Sequence, residues 1–311
     1  MNHYHEPVMV EEVIDSLHCH PGAVYVDGTL GGGGHAGAIL ENTAPDGILV
    51  GIDADSDALR ETESRLAPFG NRKILVKGNF ADMGTILTEL NIAKVDGILL
   101  DLGVSSHQLE TAERGFSFSL DAPLDMRMDR SLDVNAYDLI HSLSCPELER
   151  VIRDYGEEVR AGRIARAIVA KRDIFPIRST GDLANVIAGA VPRNRQPTKI
   201  HPATRTFQAL RIAVNDELAK LQRALETGMA RLNAGGRFSV ISFHSLEDRI
   251  VKNAFRTGEK GCICPSELPV CACGRKPVVK ILTRKPMVPN EEEIRRNPRS
   301  RSAKLRTAER L

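Results

Sequence analysis

Four consecutive glycines, Gly31-Gly32-Gly33-Gly34, stand between an apolar segment, Ala23-Val24-Tyr25-Val26, and a helical pattern running from Ala36 to Leu40. Glycine loses more conformational freedom on folding than any other residue. A run of it between two ordered segments therefore marks a backbone that takes positive φ or approaches something closely. The flanks separate a linker from a binding loop. A flexible linker has polar neighbours, whereas here both sides are apolar, which puts the glycines at a strand-to-helix junction, where ligands of open α/β sheets collect.

Gly32-x-Gly34-x-x-Gly37 also satisfies the dinucleotide pattern, and that pattern alone does not select the ligand. Asp27, at the end of the apolar segment, is more selective. A carboxylate there repels a pyrophosphate and attracts a cation. S-adenosylmethionine carries a sulfonium and an ammonium and no phosphate, so Asp27 fits it better than NAD. The next apolar segment, Ile48 to Ile52, ends in Asp53, about twenty residues beyond the glycines, where a carboxylate can accept both ribose hydroxyls. Helix capping ahead of Ala58 to Leu66 competes for Asp53 and Asp55, and one of the two is expected to cap.

Strand and helix signals alternate through the first hundred residues, with strands at Val24–Val26, Ile48–Ile52, Ile74–Lys77 and Ile98–Leu100. That rhythm predicts a parallel sheet with crossover helices. From about Asn135 to Val191 the signals are helical, opened by the capping-box patterns Ser144-Cys145-Pro146-Glu147 and Ser179-Thr180-Gly181-Asp182. Phe207, Leu210, Val214, Leu218, Leu221, Leu225 and Leu232 then predict one long helix stopped by Gly235-Gly236, followed by a buried strand, Phe238 to Phe243. The expected fold is α/β: a Rossmann-like domain from residues 1–108 and 212–311, split by an all-helical insertion at 109–211.

The fourth strand runs into Asp101-Leu102-Gly103-Val104-Ser105-Ser106. In a doubly wound sheet its end lies beside the glycine loop, which makes Asp101 the best catalytic candidate. An exocyclic base amine is a poor nucleophile because its lone pair is delocalised, and a carboxylate accepting from its N–H groups can polarise it toward a methyl sulfonium. Capping of the next turn is the competing role for Asp101. Phe116 and Phe118, beside Arg114, offer either a stacking platform for an extruded base or an anchor of the insertion to the sheet, and the anchor is favoured. His244, in Ser242-Phe243-His244-Ser245, is a candidate contact to RNA phosphate or base, balanced against a buried structural histidine.

Four of the six cysteines, Cys262-x-Cys264 and Cys271-x-Cys273, share one Pro- and Gly-punctuated loop. With no signal-peptide pattern and no apolar run near the roughly 18 residues of a membrane span, a cytosolic protein is expected, and the thiols point to a structural zinc rather than to disulfides. Net charge is only +1, yet the charges are segregated. No acid occurs from Leu183 to Asn215, which holds Arg193, Arg195, Lys199, Arg205 and Arg211, or from Leu268 to Asn290, and a basic segment from Arg295 to Arg310 follows. Converging in space, these stretches would bind phosphate; the competing reading is a set of solvated faces with a disordered basic tail.

Six ordered motifs carry a family resemblance: Asp27 to His35, Leu100 to Ser106, Arg114 to Phe118, Leu124 to Asp129, His201 to Ala209 and Ile241 to Arg249. Together they closely resemble the bacterial ribosomal RNA small-subunit methyltransferase H family, from His5 to the basic segment. The resemblance implies a class I methyltransferase with an inserted helical substrate domain, and S-adenosylmethionine-dependent N4-methylation of a cytidine in the decoding region of 16S rRNA, with the small ribosomal subunit as partner. It also implies cofactor contacts from Gly33, Gly34, His35, Asp53 at the ribose, Phe80 near adenine, and Asp101 and Gln108 near the methionine end. Leu102 and Gly103 replace the two prolines of the Asp/Asn-Pro-Pro-aromatic motif of many amino-methyltransferases, and the cysteine loop is not shared by every member. An NAD-dependent oxidoreductase would account for the glycines and Asp53 but not for Asp27 or the basic stretches. An RNA-binding assembly protein would account for the basic stretches but not for the cofactor loop.

Overall fold

The computed structural model describes residues 7–191, 201–262, 264–265, 270 and 272–311. Two compact units divide the chain: Met1–Gly103 with Leu218–Leu311, and Val104–Glu217.

The first unit is built on a seven-stranded sheet of β1 (Val24–Asp27), β2 (Ile48–Asp53), β3 (Lys73–Lys77), β4 (Val95–Asp101), β5 (Leu232–Ser242), β6 (Val279–Ile281) and β7 (Lys304–Arg310). Their spatial order is β3-β2-β1-β4-β5-β7-β6. β1 to β5 run parallel, whereas β7 lies antiparallel to both β5 and β6. This is a Rossmann-like order, with the reversed strand inserted next to the edge. Side-chain alternation fixes which residues face which layer. Val26, Val50, Ile98, Leu100, Phe238 and Val240 pack on one face with Leu221, Leu225 and Phe255. Tyr25, Leu49, Leu99 and Ile241 pack on the other with Leu17, Leu40 and Leu305. Both faces are covered, as a parallel sheet requires.

The second unit is helical: Ala136–Ser142, Cys145–Gly156, Ala161–Arg172, Thr180–Ala190 and Thr204–Asn215 surround a core that includes Ile140, Ile152, Ile164, Ile168, Ile187 and Leu210. Ser144 and Glu147 form the anticipated reciprocal cap. Ser179 accepts the Asp182 N–H, as an N-cap does, and its hydroxyl also bonds Asp121.

Four readings of the sequence need revision. The boundaries expected at 108/109 and 211/212 fall at 103/104 and 217/218, because Val104, Leu109 and Val214 pack with the helical core. The single long helix is two, Thr204–Asn215 and Glu217–Arg231, broken at Asp216, whose φ of 51° is left-handed. The stripe expected on one face is accordingly divided, with Phe207 and Leu210 in the helical core and Leu221 and Leu225 under the sheet. The helix ends at Arg231, before Gly235-Gly236, which lie within β5. Finally, the basic segment ends in a strand, not a disordered tail. β7 threads between β5 and β6, and its Arg306, 7% exposed, bonds Asp248 at 2.6 Å while Lys304 lies 3.3 Å from the same carboxylate.

Candidate functional site

The C-terminal ends of β1, β2 and β4 each deliver a carboxylate, Asp27, Asp53 and Asp101. The turn after β5 delivers a fourth, Glu247, from the helix Ser245–Lys260. Parallel pairing keeps these strand ends level, so the sequence position "last residue of the strand" becomes a shared location at one edge of the sheet.

The glycine loop is tied down on several sides. Gly28 N–H donates to the Leu99 carbonyl at 2.9 Å, and the Asp101 N–H donates to Thr29 Oγ1 at 2.6 Å. Thr62 Oγ1 and Arg65 Nη1 donate to the carbonyls of Gly31 and Gly32, each at 3.1 Å. Gly33 sits at φ 71° against the Thr62 side chain, so a left-handed turn and a close approach coincide there. A Cβ on Gly28 would lie 2.5 Å from Leu100 Cδ2 and 3.0 Å from Phe80 Cβ, which places Phe80 directly beside the start of the loop. A Cβ on Gly34 would lie 2.6 Å from Pro7 Cγ, where the N-terminal segment crosses the loop.

Asp53 accepts from the Gly31 N–H at 2.9 Å through Oδ2 and from the Asp55 N–H at 2.8 Å through Oδ1. Each oxygen retains a second lone pair that a hydroxyl pair can engage. Asp55 is the helix cap, accepting from the Asp57 N–H at 3.0 Å, so capping falls to Asp55 and not to Asp53.

Asp27 is buried and the Asp101 side chain is 9% exposed, and each has one oxygen unpaired: neither Asp27 Oδ2 nor Asp101 Oδ1 has a hydrogen-bond partner among the described residues. Asp27 Oδ1 accepts from the Thr29 N–H at 3.0 Å. Burial raises the Asp27 carboxyl to about 7, with the charge of Asp53 adding to the rise. Burial likewise raises Asp53, to about 6. Asp101 is raised well above the ordinary carboxylate range, first by burial and then by the charges of Asp27 and Glu247. A buried cluster of acids held together in this way destabilises its own ionised form.

His35 is 5% exposed and lies against the cluster. Its Nε2 is 2.8 Å from the Val8 carbonyl, which can only accept, so Nε2 carries the proton and Nδ1 faces Asp101 Oδ2 at 3.6 Å. His244 is the N-cap of Ser245–Lys260. Its ring accepts from the Glu247 N–H, and Glu247 Oε2 in return accepts from the N–H groups of Phe243 at 2.8 Å and His244 at 3.3 Å. Glu247, 2% exposed, was not singled out from sequence. The spacing His244-x-x-Glu247 was its signal, obscured because histidine is an uncommon member of a capping box.

The chemistry of this donor set suits a ligand with positive charge at one end and a hydroxyl pair at the other. Two histidines face the four acids, His35 Nδ1 at 3.6 Å from Asp101 Oδ2 and His244 Nε2 at 3.2 Å from Glu247 Oε1. Phosphate would meet like charge at every strand end.

A family model of the MraW methylases matches residues 2–311. The chain belongs to the MraW methylase family. Among MraW relatives, the ribosomal RNA small subunit methyltransferase H of Syntrophus aciditrophicus is 62% identical over 308 residues, covering 99% of this chain and 98% of that protein. The proteins of the same name from Geotalea uraniireducens and Geobacter sulfurreducens are each 57% identical, covering 99% and 100% of this chain and the same shares of theirs.

Three further candidates lie in the inserted unit of this MraW methylase. Gln108 is buried and exchanges hydrogen bonds with Ser105, its Oε1 accepting the Ser105 N–H at 3.1 Å. Phe116 is buried in the helical core with the Arg114 guanidinium 5.8 Å from its ring centroid, and Phe118 packs on His201 and Phe207. Both phenylalanines pack inside the helical core rather than against the sheet, and Phe116 is 8% exposed. Arg205 is half exposed, with Nη1 3.2 Å from the Glu157 carbonyl. Arg211, counted with the basic stretch, is held by both oxygens of Glu217 at 2.8 Å. Arg193, Arg195, Lys199 and Cys271 lie outside the described residues. No helix among the described residues is long and apolar enough to cross a membrane.

Proposed function

We propose that this chain is a cytoplasmic enzyme that methylates the exocyclic N4 amine of a cytidine in the decoding region of 16S rRNA, at the P site of the small ribosomal subunit. S-adenosylmethionine supplies the electrophilic methyl group. The observation that carries the reading is the buried cluster of Asp27, Asp101 and Glu247 beside a glycine loop, with two carboxylate oxygens unpaired. The names of the relatives supply the RNA substrate class.

Asp27 would hold the cationic end of the cofactor, Asp53 the ribose hydroxyls, and Phe80 the adenine beside Gly28. With a cation compensating Asp27 and Glu247, Asp101 ionises and becomes an acceptor for the N–H groups of the target amine. Accepting one of them would turn the nitrogen lone pair out of conjugation, and S-adenosylmethionine held by these residues would supply the methyl group. The proton lost from nitrogen passes to Asp101, whose carboxyl is a better base than an exposed aspartate, and His35 Nδ1 stands next in line. Gln108 would steady the methionine end, and Arg205 with the acid-free basic stretches would hold RNA phosphates.

The test is incubation with radiolabelled S-adenosylmethionine and small subunits that lack the modification, followed by nucleoside mass spectrometry. Label in N4-methylcytidine within 16S rRNA is the expected result. Label in another nucleoside, or none with folded protein and unmodified subunits, overturns the reading.

A further inference from the structure

Away from the carboxylate cluster, a second group of potential metal ligands lies in the loop joining the helix Ser245–Lys260 to β6. Cys262, Cys264 and Cys273 bring their sulfurs within 4.8 Å of one another, with the Sγ atoms of Cys262 and Cys273 3.8 Å apart. The base of the loop is pinned. Gly261, at φ 70°, packs so closely that a Cβ would lie 2.4 Å from the Lys276 carbonyl carbon and the Pro277 nitrogen. The Val278 N–H donates to the Gly258 carbonyl at 2.9 Å.

Between Gly261 and Val278, every described residue except the three cysteines is exposed, Val270 at 77%. The described residues of this loop bury almost nothing apolar, and so supply no hydrophobic means of holding its shape. Among the described residues its partly buried side chains are all thiols, and they face one another.

We propose that Cys262, Cys264 and Cys273 bind a structural zinc ion. Tetrahedral zinc with Zn–S bonds of about 2.3 Å sets neighbouring sulfurs about 3.8 Å apart, the separation seen between Cys262 and Cys273. Three thiolates form a soft donor set that selects zinc over magnesium or calcium. On binding, three thiols release three protons to solvent and three Zn–S bonds form; no oxidant or reductant takes part. The ion fixes a loop remote in sequence from the strand-end acids and contributes nothing to methyl transfer. Cys19 and Cys145 stand apart from the cluster, and the Cys19 thiol is pushed up to about 12 by burial.

Metal content is measured by mass spectrometry on untagged protein after exhaustive dialysis. About one zinc per chain is expected. It should be lost in Cys262→Ser/Cys273→Ser and kept in Cys19→Ser/Cys145→Ser. Cobalt replacement gives an independent readout: an intense near-ultraviolet thiolate charge-transfer band with visible bands of a tetrahedral ion. Should the double variant fail to fold, Cys264→Ser alone must shift the cobalt spectrum. Zinc-free wild-type protein with all three thiols promptly reactive overturns the proposal. So does a disulfide between Cys262 and Cys273 in the non-reduced protein, or zinc content indifferent to the double substitution.

Discussion

Replacing Asp27 with Asn should stabilise the protein at pH 8 far more than at pH 5. The Asp27 carboxyl rises from 3.8 to about 7 in the folded chain, chiefly because it is buried. Between those values the native state binds more protons than the unfolded state, so stability falls as pH rises through the window and levels off above it. A rise from 3.8 to about 7 corresponds to about 4 kcal/mol at full development. At pH 5 little more than a third of that cost has appeared, so the variant's advantage should grow by about 2 to 3 kcal/mol between pH 5 and pH 8. The Asn side chain keeps an acceptor for the Thr29 N–H, and its unpaired amide adds a penalty of about 1 to 3 kcal/mol that is the same at both pH values. The difference across pH therefore isolates the charge. The chain contains no tryptophan, so urea unfolding is followed by far-ultraviolet circular dichroism at the two pH values, without cofactor. A wild-type-to-variant difference that does not change with pH would refute the assignment of Asp27 as a buried, destabilising charge.

Affinity for S-adenosylmethionine should rise with pH through the range from about 6 to about 7 set by Asp53 and Asp27, then level off; calorimetry on Asp27→Asn should give weaker and flatter binding. Asp101→Asn should lower kcat by about 10² to 10⁴ while small-subunit binding stays within a few-fold, and retained turnover would remove Asp101 from the chemistry. Gly28→Ala forces a methyl group against Leu100 and Phe80, so it should cost about 1 to 3 kcal/mol of stability and weaken cofactor binding; unchanged affinity would dissociate Phe80 from the adenine site. Burial opposes ionisation of Asp248, but its hydrogen bond to Arg306 holds the carboxyl below its ordinary value. Arg306→Met should therefore destabilise the sheet by about 2 to 3 kcal/mol, read as a lowered denaturation midpoint.

What the sequence disclosed follows from what is local. β1 to β5 announce themselves as apolar runs, and Asp27, Asp53 and Asp101 are legible because a strand's last residue has one place to go in a parallel sheet. β7 escaped because Lys304-Leu305-Arg306-Thr307-Ala308-Glu309-Arg310 reads as a charged segment until Arg306 finds Asp248, 58 residues upstream. The break at Asp216 escaped because aspartate, not glycine, takes the left-handed turn there, at φ 51°. His35 showed its position in the loop but not its role, since its partners are a backbone carbonyl at Val8 and a carboxylate from another strand. Charge counting overstated the basic surface, because Arg211, Lys304 and Arg306 are held by acids that only the fold brings near.

Pairing of Leu99 with Ser239 joins β4 to β5 across all of residues 104–217. If that stretch were unstructured, closing it would carry a chain-length term of roughly 4 kcal/mol, and β4, apolar from Ile98 to Leu100, would wait as an open edge available to other chains. The inserted helices have their own core, so they can condense first and shorten the loop before the sheet closes. The insertion then acts as a folding aid. Substitutions that loosen Ile152 or Ile164 should reduce the yield of soluble protein during synthesis, even though neither residue belongs to the sheet whose assembly is delayed.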